Sequence, residues 1–323
     1  MKGQFIIYAI ISLAFYGCDG RSSSTIVVHH NKIDSIESVR QIELLLASID
    51  SNYRGFKVDT SGDYESEIPL YRSPDICKRY HDSLHIKPWT KIDFDKNGFT
   101  DLLVNGNWGG NHHEFCILDS GNNKFFIRRL TRQIFQPCTF SVVATVDSTP
   151  VILFHQKIDS VKNYRIYKST LQVDTLIYRF GDFVEYNPKP VQHHIERIIF
   201  STGPCLGKCP IFGIMIEAYR KATYNAKTYN EREGIFSTII DTTQFNSLTG
   251  LLNYIDFPKL NSNYAVTWTD DQDCTLEITY DGGKQKIIND YGLIGTFGLE
   301  RVYSIFFDLR NNQEWIALRG TKL

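Results

Sequence analysis

The strongest constraint on the fold is a change of texture at Trp89. From there to Tyr186, short runs rich in β-branched and aromatic residues alternate with clusters of Gly, Asn, Asp, Ser and Pro. That is the pattern of half-buried strands joined by tight turns. It predicts strands near 89–94, 101–107, 114–119, 124–130, 140–147, 150–157, 164–171 and 175–186. Ser120-Gly-Asn-Asn123 and Asp147-Ser-Thr-Pro150 read as hairpin connections. A content of 18 Tyr and 21 Phe against 2 Met fits, since aromatic rings pack well on a pleated surface.

Upstream the period is helical. Ile36, Val39, Ile42, Leu44, Leu45, Leu46 and Ile49 give a broad apolar face at helical spacing, with Asp34 and Glu37 spaced as a capping box. A second short helix is expected over 73–84, with Pro74 in its first turn. Asn187-Pro-Lys-Pro190 interrupts both ladder and helix and marks a domain boundary. Beyond it, strands are expected at 195–201, 211–219, 222–229, 234–240, 264–268, 274–280 and 284–290. Asp281-Gly-Gly283 forms a hairpin turn, and helices are expected at 241–254 and 299–310. Strands and helices without βαβ alternation make the chain α+β. A β-rich N-terminal domain (34–188) would precede an α+β domain (193–316) with an antiparallel sheet and two helices.

The first seventeen residues read as a signal peptide. Lys2 is followed by an apolar run from Phe5 to Phe15, shorter than the ~20 residues of a membrane span. Gly17-Cys18 resembles the lipobox of bacterial lipoproteins, with bulkier residues, Phe15 and Tyr16, than that pattern usually carries. The resemblance implies an acylated Cys18, a polar tether over 18–33, and a membrane-anchored protein of the cell envelope facing periplasm or cell surface. Net charge is -1 with no basic block, which argues against a nucleic-acid partner. Besides Cys18 there are Cys77, Cys116, Cys138, Cys205, Cys209 and Cys274. In an oxidising compartment six cysteines allow up to three disulfides in about fifteen connectivities.

Asp93-Phe-Asp-Lys-Asn-Gly-Phe-Thr-Asp101 is the sharpest chemical motif. Asp93, Asp95, Asn97 and Asp101, with the Phe99 carbonyl, offer the oxygens a hard cation such as Ca²⁺ wants, and Gly98 permits the reversal. Position 12 is Val104, not Glu, so this is no EF-hand loop. It resembles the calcium loop of FG-GAP/VCBS-type repeats over about fifteen residues, in a single copy. The competing expectation is a plain hairpin turned at Asn97-Gly98. The loop that follows carries Trp108, His112 and His113 and could bind a glycan or peptide, or a metal through His112, His113 and Glu114. Adjacent strand residues point to opposite faces, so one ion shared by both histidines is awkward.

Cys205-Leu-Gly-Lys-Cys-Pro210, with Tyr224, Gly234, Phe257-Pro-Lys-Leu260, Tyr264, Thr269-Asp270 and Trp315 in order, resembles the DUF6438 domain over roughly 194–316. That family is one of unknown function from Bacteroidetes-type bacteria, so the resemblance implies a domain boundary and no activity. Cys205 and Cys209 admit three readings: a disulfide across a tight loop, half of a zinc shell, or a redox pair. No Gly-x-Ser-x-Gly, P-loop or His-Glu-x-x-His sequence occurs. The expectation is a non-catalytic envelope module that binds a protein or glycan or senses the envelope. The alternative is a thiol redox or metal-dependent enzyme centred on Cys205 and Cys209.

Overall fold

The computed structural model describes residues 31–62, 74–132, 138–162 and 165–318. In the N-terminal half, α1 (Val39–Ile49), β1 (Lys57–Val58), α2 (Pro74–Leu84), β2 (Trp89–Ile92), β3 (Asp101–Trp108), β4 (Asn111–Asp119) and β5 (Phe125–Arg129) come first. The antiparallel sheet β1-β3-β4-β5 has β2 beside β1 on the same edge of β3. β6 (Thr139–Val146), β7 (Thr149–Lys162), β8 (Arg165–Arg179) and β9 (Asp182–Glu185) form an antiparallel meander.

The first sheet is covered on both faces. One side packs Leu102, Val104, Phe115 and Ile117 under Ile42, Leu45 and Leu46 of α1. The other packs Leu103, Cys116 and Leu118 against Ile152, Phe154 and Leu176 of the meander. This double cover explains why β4 is buried almost without alternation, polar residues included.

The C-terminal half contains β10 (Ile195–Thr202), β11 (Phe212–Glu217), β12 (Lys221–Ala226), β13 (Gly234–Ile239), α3 (Thr242–Tyr254), β14 (Asn263–Ala265), β15 (Asp273–Tyr280), β16 (Lys284–Tyr291), α4 (Phe297–Asn312) and β17 (Ile316–Ala317). Its eight-stranded sheet runs β14-β16-β15-β10-β11-β12-β13-β17, with β14 and β16 its parallel pair. Here burial alternates cleanly along the strands. Ile198, Phe200, Ile214, Ile216 and Leu276 point inward, where Leu248, Leu251 and Leu252 of α3 and Val302, Phe306 and Leu309 of α4 cover them. The halves are joined by packing as well as by chain. Phe297 of α4 enters the core beneath the meander. The Glu185 carboxylate at the end of β9 accepts the Phe297 and Gly298 N–H groups at 2.6 and 2.9 Å, capping α4 from the other half.

Two local expectations are corrected. α1 starts at Val39, because Ser38 and Gln41 make the capping box, while Asp34 is locked in reciprocal bonds with Asn31. The strands expected at 164–171 and 175–186 are a single long β8 followed by the short β9. The reversal is at Phe180-Gly181, both with positive φ (58° and 79°), as a two-residue hairpin turn requires. An aromatic residue in that position gave no turn signal.

Candidate functional site

The Asp loop joins β2 to β3. Asp101 opens β3 and is fully buried; its Oδ2 accepts Phe94 N–H at 2.8 Å and its Oδ1 accepts Asp119 N–H at 2.9 Å. Asp93 accepts from Asn97 N–H (3.1 Å) and Gly98 N–H (2.8 Å), with Gly98 at φ 87° closing the turn. These bonds bring the carboxylates of Asp93, Asp95 and Asp101 together, with an oxygen of each within 4.8 Å of the others. Asn97 sits beside them, but its Nδ2 donates to Asp95 Oδ2 and its Oδ1 accepts Phe99 N–H.

Three like charges in a half-buried turn are electrostatically expensive. Burial, then the neighbouring carboxylates, push Asp101 up to about 7; burial and Asp93 push Asp95 up to about 6. A dication here would reverse both shifts. The all-oxygen donor set suits a hard ion.

The cysteine loop lies between β10 and β11. Cys205 and Cys209 are disulfide-bonded with Cα atoms 5.8 Å apart, and Gly207 at φ 144° allows the reversal. The loop is built around Gln272, which is 7 % exposed and donates from Nε2 to both Gly203 O and Pro210 O at 2.9 Å. Thr202 Oγ1 also donates to Pro210 O and accepts Phe212 N–H. Leu206 N–H donates to Asp270 O, so the Thr269-Asp270 pair holds the loop from the far side. Sequence reasoning missed Gln272, because a buried amide bridging two carbonyls leaves no spacing signature. By loop-closure entropy a four-residue separation is worth about 2 kcal/mol.

A second disulfide joins Cys77 of α2 to Cys138, 61 residues apart. Its longer loop is worth about 4 kcal/mol on the same argument. Cys116 and Cys274 are free and buried, and burial pushes both thiols up. Neither is a ready nucleophile.

Trp108 ends β3. Its Nε1 donates to Asn52 O at 2.9 Å, and its ring lies 5.1 Å from Tyr53 and 5.5 Å from His113. His112 and His113 face opposite sides of the sheet. His113 stacks on Phe115 at 5.8 Å, and burial with the Arg129 charge lowers it to about 4. His112 faces the meander side, its Nε2 3.6 Å from Glu114 Oε1. Cys18 and the signal segment expected over residues 1–17 lie outside the described residues. No helix among the described residues is long and apolar enough to cross a membrane.

Residues 196–310 match a family described as a domain of unknown function, DUF6438. The match begins in β10 and ends in α4, so it takes in the cysteine loop, the helices α3 and most of α4, and the sheet except β17. No curated protein and no solved structure matches the chain.

Proposed function

We propose that the protein is an exported lipoprotein, anchored to a membrane through Cys18, that serves the cell envelope as a non-catalytic binding module. Its Asp loop, similar to those of FG-GAP/VCBS-type repeats, would hold Ca²⁺ through Asp93, Asp95 and Asp101, with Asn97 and the Phe99 carbonyl turning toward the ion. Two disulfides support an oxidising destination.

The observation that carries the binding reading is the outer face of the eight-stranded sheet. Ile287, Glu277, Ile199, Met215, Thr223, Ser237 and Ile316 lie directly opposite one another across seven strands. No helix among the described residues covers them, and all are half-buried or exposed. A flat face of mixed polarity on a rigid, disulfide-bearing domain suits recognition of an envelope protein or glycan. The Cys205–Cys209 pair is closed and presents no free thiolate, which favours a structural role for this loop.

The test is cross-linked recovery of partners from whole cells, using wild-type protein and a Met215→Arg/Thr223→Arg variant. One partner recovered with wild type and lost with the folded variant is the expected result. Identical recovery with both, or none with either, would reject the sheet face as the binding surface. Thiol titration of the native protein separates the enzyme alternative: reactive thiols at Cys205 and Cys209 would favour it.

A further inference from the structure

The N-terminal sheet carries a second constellation. β3 and β4 pair with Asn105 directly opposite Glu114. Just past β1, the Asp59 N–H donates to Asn105 O, so Asp59 continues the same line across three adjacent backbones. Strand alternation points Asp59, Asn105 and Glu114 to the meander side, since Val58, Val104 and Phe115 face α1. His112, two residues before Glu114, shares that side. All four are at most 6 % exposed, and Glu114 is 1 % exposed.

Their hydrogen bonds do not balance. Asp59 Oδ1 accepts from Ser61 N–H, Ser61 Oγ and Gly62 N–H, whereas Oδ2 accepts from nothing among the described residues. Asn105 Nδ2 donates to Lys87 O, but its Oδ1 has no donor among the described residues. Among the described residues, neither Glu114 oxygen accepts a hydrogen bond. Four buried acceptor oxygens therefore face one side of the sheet with no described donor. A buried carboxylate left so costs several kcal/mol unless a positive charge compensates it.

We infer that Glu114, His112 and Asn105 form a second metal site, chemically distinct from the Asp loop, that takes a borderline dication such as Zn²⁺. The donor set mixes one imidazole, one carboxylate and one amide oxygen, which suits Zn²⁺ better than Ca²⁺. The geometry agrees. Two ligand atoms each about 2.0–2.1 Å from Zn²⁺ at a tetrahedral angle are about 3.4 Å apart. His112 Nε2 and Glu114 Oε1 are 3.6 Å apart. A His-x-Glu spacing on a strand puts both on one face, and the neighbouring strand supplies Asn105 as the third ligand. Asp59 lies two strand spacings from Glu114, roughly 9–10 Å, too far to ligate the same ion directly. It completes the charge balance from the next position and can orient a metal-bound water through Oδ2.

The experiment uses the whole purified chain. It is stripped with a chelator and dialysed against millimolar Ca²⁺, so that the Asp loop cannot compete. Zn²⁺ is then titrated by calorimetry, and retained metal is counted by mass spectrometry. The variants are Glu114→Gln, nearly isosteric, and Asp93→Asn/Asp95→Asn, which alters only the other loop. The expected result is one tightly held Zn²⁺ in wild type and in the Asp-loop variant. Glu114→Gln should bind it at least about tenfold more weakly. Co²⁺ in place of Zn²⁺ should give a tetrahedral visible absorption that Glu114→Gln abolishes. Failure of wild type to retain Zn²⁺ overturns the site, as does retention unchanged by Glu114→Gln, which would place the metal on exposed histidines instead. Should Glu114→Gln fail to fold, Asn105→Leu is the second variant, with the same two outcomes.

Discussion

Asp290 in the C-terminal half and Glu114 in the N-terminal half are equally buried, at 1 % exposure. Their surroundings differ completely. Asp290 Oδ1 accepts Ile294 N–H at 2.9 Å, and Oδ2 accepts Gly295 N–H at 2.7 Å and the Tyr303 hydroxyl at 3.0 Å. One carboxylate thereby pins the turn between β16 and α4 to the helix itself. Among the described residues Glu114 has no such donors, and His112 Nε2 lies 3.6 Å from its Oε1. The same contrast recurs at larger scale. The cysteine loop is closed by its own disulfide and by Gln272, while the Asp loop gathers three carboxylates that its backbone donors only partly satisfy. In the C-terminal half, the buried carboxylate and the cysteine loop both find their hydrogen-bond partners within that half. On the reading proposed above, cations complete the N-terminal half at the Asp loop and beside Glu114.

The comparison breaks first at Asp290. Asp290→Ala leaves two N–H groups and a hydroxyl buried without an acceptor, at about 1–3 kcal/mol each. Urea unfolding should show a loss of at least about 3 kcal/mol, equal in the presence of Ca²⁺ or of a chelator. A loss that depends on Ca²⁺ would contradict the independence of this carboxylate from cations.

The next effect belongs to the Asp loop and has a definite sign in pH. Asp95 and Asp101 titrate near 6 and 7 in the folded protein, above the ordinary carboxylate value of 3.8. Raised pKa values favour the folded state fully below the unfolded value, near 4, and that contribution is lost as pH rises through 6–7. Without Ca²⁺ the loop should therefore weaken the fold from pH 5 to pH 8. Ca²⁺ needs the ionised carboxylates, so its stabilisation should grow over the same range. At a hundredfold excess over its dissociation constant the gain should reach about 2.7 kcal/mol at pH 8. Calorimetric melting at several pH values measures it, and Asp93→Asn/Asp95→Asn should abolish the dependence on Ca²⁺.

Smaller effects sharpen the C-terminal side. Cys205→Ser/Cys209→Ser should cost about 2 kcal/mol in chemical unfolding, without changing the response to cations. Asp241 caps α3 through Thr243 N–H and Gln244 N–H, which holds its carboxyl below the usual range. Asp241→Ala should give the smallest loss of the set in the same assay, and no change in the response to cations.

Much of this was legible in the sequence, and for physical reasons. Strand alternation is a local property, so the C-terminal strands with one open face fell close to their expected places, as did the helices from Asp241 and near Leu299. The Asp loop was readable because its three carboxylates lie within nine consecutive residues. The Cys205–Cys209 bond was one of three readings of a short spacing. What stayed hidden depends on pairing between distant segments. Nothing local links Asp59 to Asn105 and Glu114, and nothing links Cys77 to Cys138. Gln272 and Asp290 do their work through backbone groups that any sequence supplies. Phe180-Gly181 was missed because the turn takes its shape from the strands around it.

The most direct test of the contrast between the halves is native-state hydrogen exchange of the full chain, with Ca²⁺ and Zn²⁺ supplied and then with a chelator. The account predicts that amides of β3 and β4 lose protection when cations are removed, while those of β10, β11 and β15 keep theirs. Protection that is unchanged everywhere, or that falls equally in both halves, would contradict it.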